Sequence, residues 1–418
     1  MSMAVESILT PGWKSMKLRD VCELINGRAY KQSELLTHGK YRVLRVGNFF
    51  TNDRWYYSDL ELEKRKYCED GDLLYAWSAS FGPRIWTGGK VIFHYHIWRV
   101  VPNAALIDQK FLFLFFLWDK EQIKEDQGTG TTMIHVSKTS MEDRDMRVPP
   151  LPEQRHIAAR LESLLGHSKT AKEELARIPH LVERYKRSIL AAAFRGDLTA
   201  DWRTGDENWS ATTLGDLCSD IRYGTAAKCH YEPKETPVLR IPNVVDGRIN
   251  TADIKYGRFN KSETEKLALR SGDILVIRSN GSLGLVGRAA LVTEEVAGYL
   301  YAGYLIRLRV DAERVNPKFV QLAFEEPVVR QKIEGLAKST SGVNNINSEQ
   351  LKALSIPLPN LPEQSEIVRR VEGAFAQIDR VATETARAAL LLDHLDQSTL
   401  AKAFRGELIS SSPAMSTG

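Results

Sequence analysis

The sequence predicts an α+β chain in which two mixed α/β domains are separated by two long helices forming a coiled coil, the whole a pseudo-twofold repeat. Three observations carry this. LPEQ occurs at 151–154 and 361–364, and AFRG at 193–196 and 403–406, both with an offset of 210. Between these motifs, apolar or small residues recur at alternating steps of 4 and 3. Before each copy stand short runs rich in β-branched and aromatic residues, in the same order.

The helical repeat is dense. Residues 151–199 and 361–409 align without a gap and share 19 of 49 positions, where ordinary residue usage gives about three. The first seam runs Ile157, Leu161, Leu164, Ser168, Ala171, Leu175, Ile178, Val182, Tyr185, Ile189 and Ala192. The second runs Ile367, Val371, Ala374, Ile378, Val381, Thr385, Ala388, Leu392 and Leu395, then Thr399 and Lys402, where its last turn departs from the pattern. This is heptad spacing. Pro152 and Pro362 suit a first helical turn, Gly196 and Gly406 suit C-terminal caps, and Pro179 is expected to kink the first helix. Segment 151–199 has nine Lys/Arg against six Asp/Glu, a net +3; segment 361–409 has six against eight, a net −2. Opposite signs favour pairing of one copy with the other, although two separate amphipathic helices, each on its own domain, fit the same periodicity.

In the globular halves, VLRVGNFF (43–50), GDLLYAW (71–77) and VIFHYHIWRVV (91–101) read as strands, as do VLRIPNVV (238–245), GDILVIR (272–278) and YLYAGYLIRLRV (299–310). Residues 110–124 and 317–334 read as helices. The apolar run Phe111–Trp118 is far shorter than the roughly 20 residues of a membrane span and reads as a buried helix segment. The expected order is a domain at 1–150, a helix at 151–200, a domain at 201–360, a helix at 361–409 and a flexible tail at 410–418.

Composition narrows the function. With 43% hydrophobic and 26% charged residues, the chain is an ordinary globular protein, neither disordered, collagenous nor a membrane bundle. A net charge of +4 permits nucleic-acid binding without establishing it. Cys22, Cys68, Cys218 and Cys229 form no CxxC pair, which disfavours a zinc ribbon. No secretory signal opens the sequence, so reduced thiols and a cytoplasmic location are expected. Enzyme motifs are missing: there is no GxxxxGK[ST], no GxSxG, and no Asn- or Asp-Pro-Pro-aromatic tetrapeptide. Asp108-x-Lys110 and Asp253-x-Lys255 are too short to signify a nuclease. His94 and His96 share an expected strand face and read as a structural pair rather than a metal site. The chain therefore reads as non-catalytic.

The duplicated LPEQ…AFRG helices, the Leu-x-Asp-x-Cys openings at 18–22 and 214–218, and the Gly-Asp-(Leu/Ile)-Leu runs at 71–74 and 272–275 form an ordered set, present twice. Together they resemble the specificity subunit of a type I restriction-modification enzyme, from about residue 13 to 409. The resemblance implies that each globular half is a target recognition domain reading one half of a split, asymmetric double-stranded DNA site. It implies an antiparallel helical rod that spaces the two domains. It implies two methyltransferase subunits and two restriction/translocase subunits as partners, with S-adenosylmethionine, ATP and magnesium bound by those partners and no cofactor on this chain. The complex would methylate adenine and defend against phage. The weak net charge leaves one other reading open, a non-catalytic coiled-coil adaptor with two protein-binding domains.

Base edges are read by Arg, Asn, Gln, Lys and Ser/Thr side chains, so the candidate DNA contacts are polar residues in loops leaving the strands. In the first domain these are Arg28, Lys31, Arg45, Asn48, Trp77, Ser78, Ser80, Arg84, Thr131, Thr132, His135 and Lys138. In the second they are Lys228, Arg240, Asn243, Arg278, Ser279, Asn280, Ser341, Asn344, Asn345 and Asn347. A loop Arg or Asn can equally tie down its own turn, so the loops 76–84, 128–138, 277–284 and 338–347 carry more weight as groups than residue by residue.

Overall fold

The computed structural model describes residues 11–50, 52–78, 81–126, 135–203, 209–339 and 342–408. The chain divides into two compact units, Met1–Leu175 with Arg387–Gly418, and Ala176–Ala386. This departs from the sequential order expected above, because each unit takes a portion of both long helices. The expected flexible tail, 410–418, lies outside the described residues.

In the first unit, β1 (Lys14–Lys17), β2 (Cys22–Asn26), β3 (Tyr41–Leu44), β4 (Tyr56–Ser58), β5 (Tyr67–Cys68), β6 (Leu73–Ala76), β7 (Gly82–Ile85), β8 (Val91–Phe93), β9 (Ile97–Pro102) and β10 (Asp145–Val148) make three sheets. The order β2-β9-β6-β7 is antiparallel throughout. The order β4-β3-β8-β5 contains one parallel pair, β3 with β8. Strand β1 pairs with β10 and closes the domain. Helix α1 (Gln109–Asp126) buries Phe111, Leu112, Leu114, Phe115 and Phe116 against the main sheet's core, as the apolar run predicts.

The second unit repeats the plan. Strands β11 (Ser210–Thr213), β12 (Cys218–Tyr223), β13 (Thr236–Leu239), β14 (Lys255–Gly257), β15 (Ile274–Ile277), β16 (Ser279–Asn280), β17 (Ala289–Leu291), β18 (Leu300–Tyr301), β19 (Leu305–Val310), β20 (Asn344–Asn345) and β21 (Ser355–Leu358) are described. The order β12-β19-β15-β17 matches the first main sheet. The parallel pair β13–β18 matches β3–β8, and β11–β21 matches β1–β10. Three sequence expectations need correction. The strands expected at 91–101 and 299–310 each break in two, at His94–His96 and at Ala302–Tyr304. Residues Val46–Phe50 and Ile241–Asn243 turn helical after the strands they were assigned to. The helix expected over 317–334 is two, α4 (Pro317–Ala323) and α5 (Pro327–Ala337), because Pro327 cannot continue the preceding hydrogen-bond ladder.

The first long helix is also two, α2 (Leu151–Leu175) and α3 (Ile178–Arg195), broken just before Pro179. The second, α6 (Leu361–Phe404), runs unbroken, with Ala389 at the position matching Pro179. The helices pair antiparallel within each unit. In the first, Ile157 and Leu161 of α2 share a core with Leu400, Ala403 and Phe404 of α6, while Lys172 reaches Asp393 at 2.5 Å and Asp396 at 2.7 Å. In the second, Leu190 and Phe194 of α3 join Ile367 and Val371, and Lys186 reaches Asp379 at 2.6 Å. The heptad register fails in detail: Val381 and Leu395 are 52% and 57% exposed. One unbroken line of covered positions runs 367, 371, 374, 378, 382, 385, 389, 392, 396, 400 and 403, with 368, 370, 375, 388, 397, 399 and 401 covered at its sides. That is 36 residues in ten steps, the period of a straight α-helix, which drifts about 20° per heptad away from a 3.5 repeat.

The repeated motifs now have a physical reading. Gln154 and Gln364 are fully buried, and each closes three hydrogen bonds. Gln154 Nε2 donates to the Pro149 and Leu106 carbonyls, and its Oε1 accepts from the Asp108 amide at 2.7 Å. Gln364 does the same with Pro359, Arg314 and the Asn316 amide. The glutamate beside each accepts an indole hydrogen, Glu153 from Trp13 at 2.9 Å and Glu363 from Trp209 at 3.0 Å. Glu363 is 1% exposed and also takes Thr199 Oγ1 and Arg203. AFRG supplies the opposite end. Phe404 packs on Phe111, Phe115 and Trp118 of the first unit, and Phe194 packs on Phe319 of the second. Each globular half is therefore sealed by the start of one long helix and the end of the other. Phe404→Ala is expected to cost the first unit about 3–5 kcal/mol and Gln364→Ala the second about 1–3 kcal/mol. Hydrogen exchange on the full chain checks this: protection should fall in the named unit, and an equal loss in both would contradict it.

Candidate nucleic-acid interface

The central strand of each main sheet starts next to a long helix and ends away from that anchor. Strand β6 follows Gly71, whose carbonyl accepts from Gln109 at 2.7 Å, and Asp108 is held by Gln154. Strand β15 follows Gly272, which lies against Pro317, and Asn316 is held by Gln364. Asp108 Oδ1 caps α1 through the Lys110 and Phe111 amides, so the Asp108-x-Lys110 pair is a helix start. Past their far ends, both strands enter a short antiparallel bridge, Ser78 with His135 and Ser279 with Asn345. The two bridges occupy matched places in the repeat, yet the side chains differ: Trp77 and His135 in one, Arg278 and Asn345 in the other.

In the first domain the bridge is aromatic. Trp77 donates its indole hydrogen to the Tyr95 carbonyl at 2.8 Å, with its ring 5.9 Å from Trp98 and 5.8 Å from His135. His94 and His96 sit on the turn between β8 and β9, not on a strand face, with their rings 4.9 Å apart. Beside them opens a cleft of about 580 Å³ lined by Arg45, Asn48, Arg54, Trp55 and Tyr56. The Arg45 guanidinium lies 5.1 Å from the Tyr56 ring centre. Burial, with His96 and Arg45 nearby, pulls His94 down to about 4, and burial with His135 and Arg45 lowers His96. Both rings are neutral at pH 7, so the cleft's positive charge comes from its arginines.

In the second domain the bridge is polar. Arg278 lies over the Tyr223 ring at 4.7 Å, and its Nε donates to Asn345 Oδ1 at 3.0 Å. Asn344 Nδ2 donates to the Gly281 carbonyl at 3.1 Å, and Asn280 Oδ1 accepts from the Ser282 amide. Tyr304, 64% exposed, adjoins Arg278, whose amide donates to its carbonyl. Lys228 is exposed nearby in sequence to Tyr231, which is 62% exposed and carries Lys255 over its ring at 4.8 Å.

Several candidates are engaged within the fold. Asn243 is 1% exposed and spends its amide on the Asn250 and Asp253 carbonyls and the Arg240 amide. Arg240 itself pairs with Asp253 at 2.8 Å. Asn48 ties its own turn through the Asn52 and Arg54 carbonyls, and Asn347 caps a helix through the Gln350 amide. Arg28 is held by both oxygens of Glu34, and Ser78 is buried. Lys31 lends its amide to Glu34, Lys138 pairs with Glu142 one turn on, and Arg84 donates to the Phe49 carbonyl while staying exposed. Ser80, Thr131, Thr132 and Ser341 lie outside the described residues. Beside these candidates stand aromatic side chains that polarity does not flag: Tyr56, Tyr223 and Tyr304. The signal for the first was the run Arg54-Trp55-Tyr56-Tyr57, basic and aromatic together.

His94 gives a pH test. Its folded value lies below that of the unfolded chain, so the unfolded state takes the proton first and stability falls as pH drops from about 6.5 towards 4. The melting temperature of the first domain should decline over that window, and His94→Gln should reduce the decline. An unchanged pH profile would contradict the assignment.

Comparison with known proteins agrees with the repeat. A family model described as the type I restriction modification DNA specificity domain matches twice, at residues 11–180 and 206–387. The chain is 29% identical to the EcoKI specificity subunit of Escherichia coli (strain K12), covering 96% of this chain and 90% of the relative. It is 28% identical to the StySPI specificity subunit of Salmonella potsdam, with the same coverage. A solved chain from work on assembly and conformational transition of the type I R-M system has the same fold, with a TM-score of 0.74 at 21% identity over 96% of this chain and all of that one. The HsdS subunit from Thermoanaerobacter tengcongensis superposes with a TM-score of 0.57 at 19% identity, over 97% and 99% of the two chains. With two matches that together span most of its length, the chain belongs to the family of type I restriction-modification specificity subunits.

Proposed function

We infer that this chain reads a bipartite, asymmetric double-stranded DNA site, one half per domain, and directs adenine methylation and restriction by partner subunits in the cytoplasm. The observation that carries this is the pair of matched bridges. One scaffold, twice, presents rings at Trp77 and His135 and a guanidinium with an amide at Arg278 and Asn345. Two copies of one reader with different contact groups specify two different half-sites, hence a non-palindromic sequence. The chain contributes binding and positioning. Two methyltransferase subunits and two restriction/translocase subunits supply S-adenosylmethionine, ATP and magnesium chemistry, with the target adenine turned out of the duplex into their pockets.

The test is methylome sequencing of a host carrying this chain with its methyltransferase partner, against a host carrying the partner alone. A split motif with methyladenine in each half, present only with this chain, is the expected result. An active, bound partner that leaves no new motif would overturn the reading. Duplex affinity of the complex should also fall steeply and linearly in log–log form as salt rises, because phosphate neutralisation releases counterions.

A further inference from the structure

The geometry points to Arg278 as the residue that specifies a guanine in the half-site read by the second domain, with Tyr223 and Asn345 as the positioning residues that aim it. This rests on the reading of the chain as a DNA-specificity subunit. Other arginines of the second domain are committed to carboxylates, among them Arg240 to Asp253, Arg307 to Asp220 and Arg309 to Asp273. Arg278 is half-buried and has no carboxylate partner among the described residues.

What does hold Arg278 leaves its outer edge open. A guanidinium has five N–H donors. The Nε hydrogen goes to Asn345 Oδ1 at 3.0 Å, and one Nη1 hydrogen makes a long 3.5 Å contact with the Gly303 carbonyl. One hydrogen on Nη1 and both on Nη2 remain, the end-on fork that matches guanine O6 and N7. The mount is rigid. The Tyr223 ring beneath is fixed by its hydroxyl, which accepts from the Ser348 amide at 2.8 Å and bonds Ser348 Oγ at 3.2 Å. The Arg278 backbone is held on both sides, its amide by the Tyr304 carbonyl and its carbonyl by the Ile346 amide, each at 2.9 Å. A fork mounted this way loses little rotamer freedom on binding. At the matched place in the first domain, the Trp77 indole hydrogen is already spent on Tyr95, so that bridge offers ring surface and no such fork.

The experiment is the methylome of the complex carrying Arg278→Gln, with Arg278→Lys and Asn345→Ala alongside. A glutamine prefers adenine at the same position, through N6 and N7. Arg278→Gln should shift one guanine of one half-site towards adenine and leave the other half-site unchanged. Arg278→Lys and Asn345→Ala should relax that same position, with discrimination against the wrong base falling about 5- to 150-fold. Lysine keeps the charge without the fork, and Asn345→Ala keeps the fork without its aim, so loss of one folded variant leaves two that decide. A wild-type split motif with no guanine in the affected half, or variants that leave every base unchanged or relax both halves, would overturn the inference. A wild-type complex that methylates no split motif would instead overturn the reading beneath it.

Discussion

Two buried glutamines hold the architecture together. Gln154 and Gln364 sit at the first turns of α2 and α6, and each carboxamide satisfies two carbonyls and one amide of the domain that precedes it. The asymmetry of buried hydrogen bonds makes such a contact decisive: forming it gains little, while losing it strands several polar groups away from water. The adjacent glutamates extend the tie to Trp13 and Trp209, the indoles just ahead of β1 and β11. The direction in which each long helix leaves its domain is thereby fixed at its first turn.

The other ends of the helices complete the constraint. Phe404 closes the core of the first unit from a separate stretch of chain, while Phe194 closes that of the second from the helix that leads directly into it. A domain built this way keeps its seal while its loops diverge, because the seal lies at the starts of the central strands and the divergence at their far ends. Trp77 against Arg278 shows how far the side-chain chemistry at this place can move with the strand order intact.

The repeat, the helices and the order of the strands were legible because periodicity and duplication survive in sequence. The roles of LPEQ were not: nothing in four letters says that the glutamine will be fully buried or that the glutamate will meet an indole 140 residues away. Heptad and straight-helix seams differ by so little per turn that steps of 3 and 4 fit both, and the exposure of Leu164, Tyr185, Val381 and Leu395 separates them. Among the candidate contacts, Trp77, His135, Arg278 and Asn345 come together at the two matched bridges. Asn243 and Asn347 are engaged within the fold, and an asparagine that ties a turn or caps a helix has the same sequence signature as one left free. The exposed tyrosines were invisible to a rule that looked only for polar side chains.

The central claim is that each domain reads its own half of the site. The most direct measurement is the methylome of a complex in which residues 1–150 are replaced by the corresponding segment of the Escherichia coli (strain K12) relative, with the long helices unchanged. One half of the methylated motif should be replaced and the other retained base for base. Alteration of both halves in a complex that still methylates would contradict it.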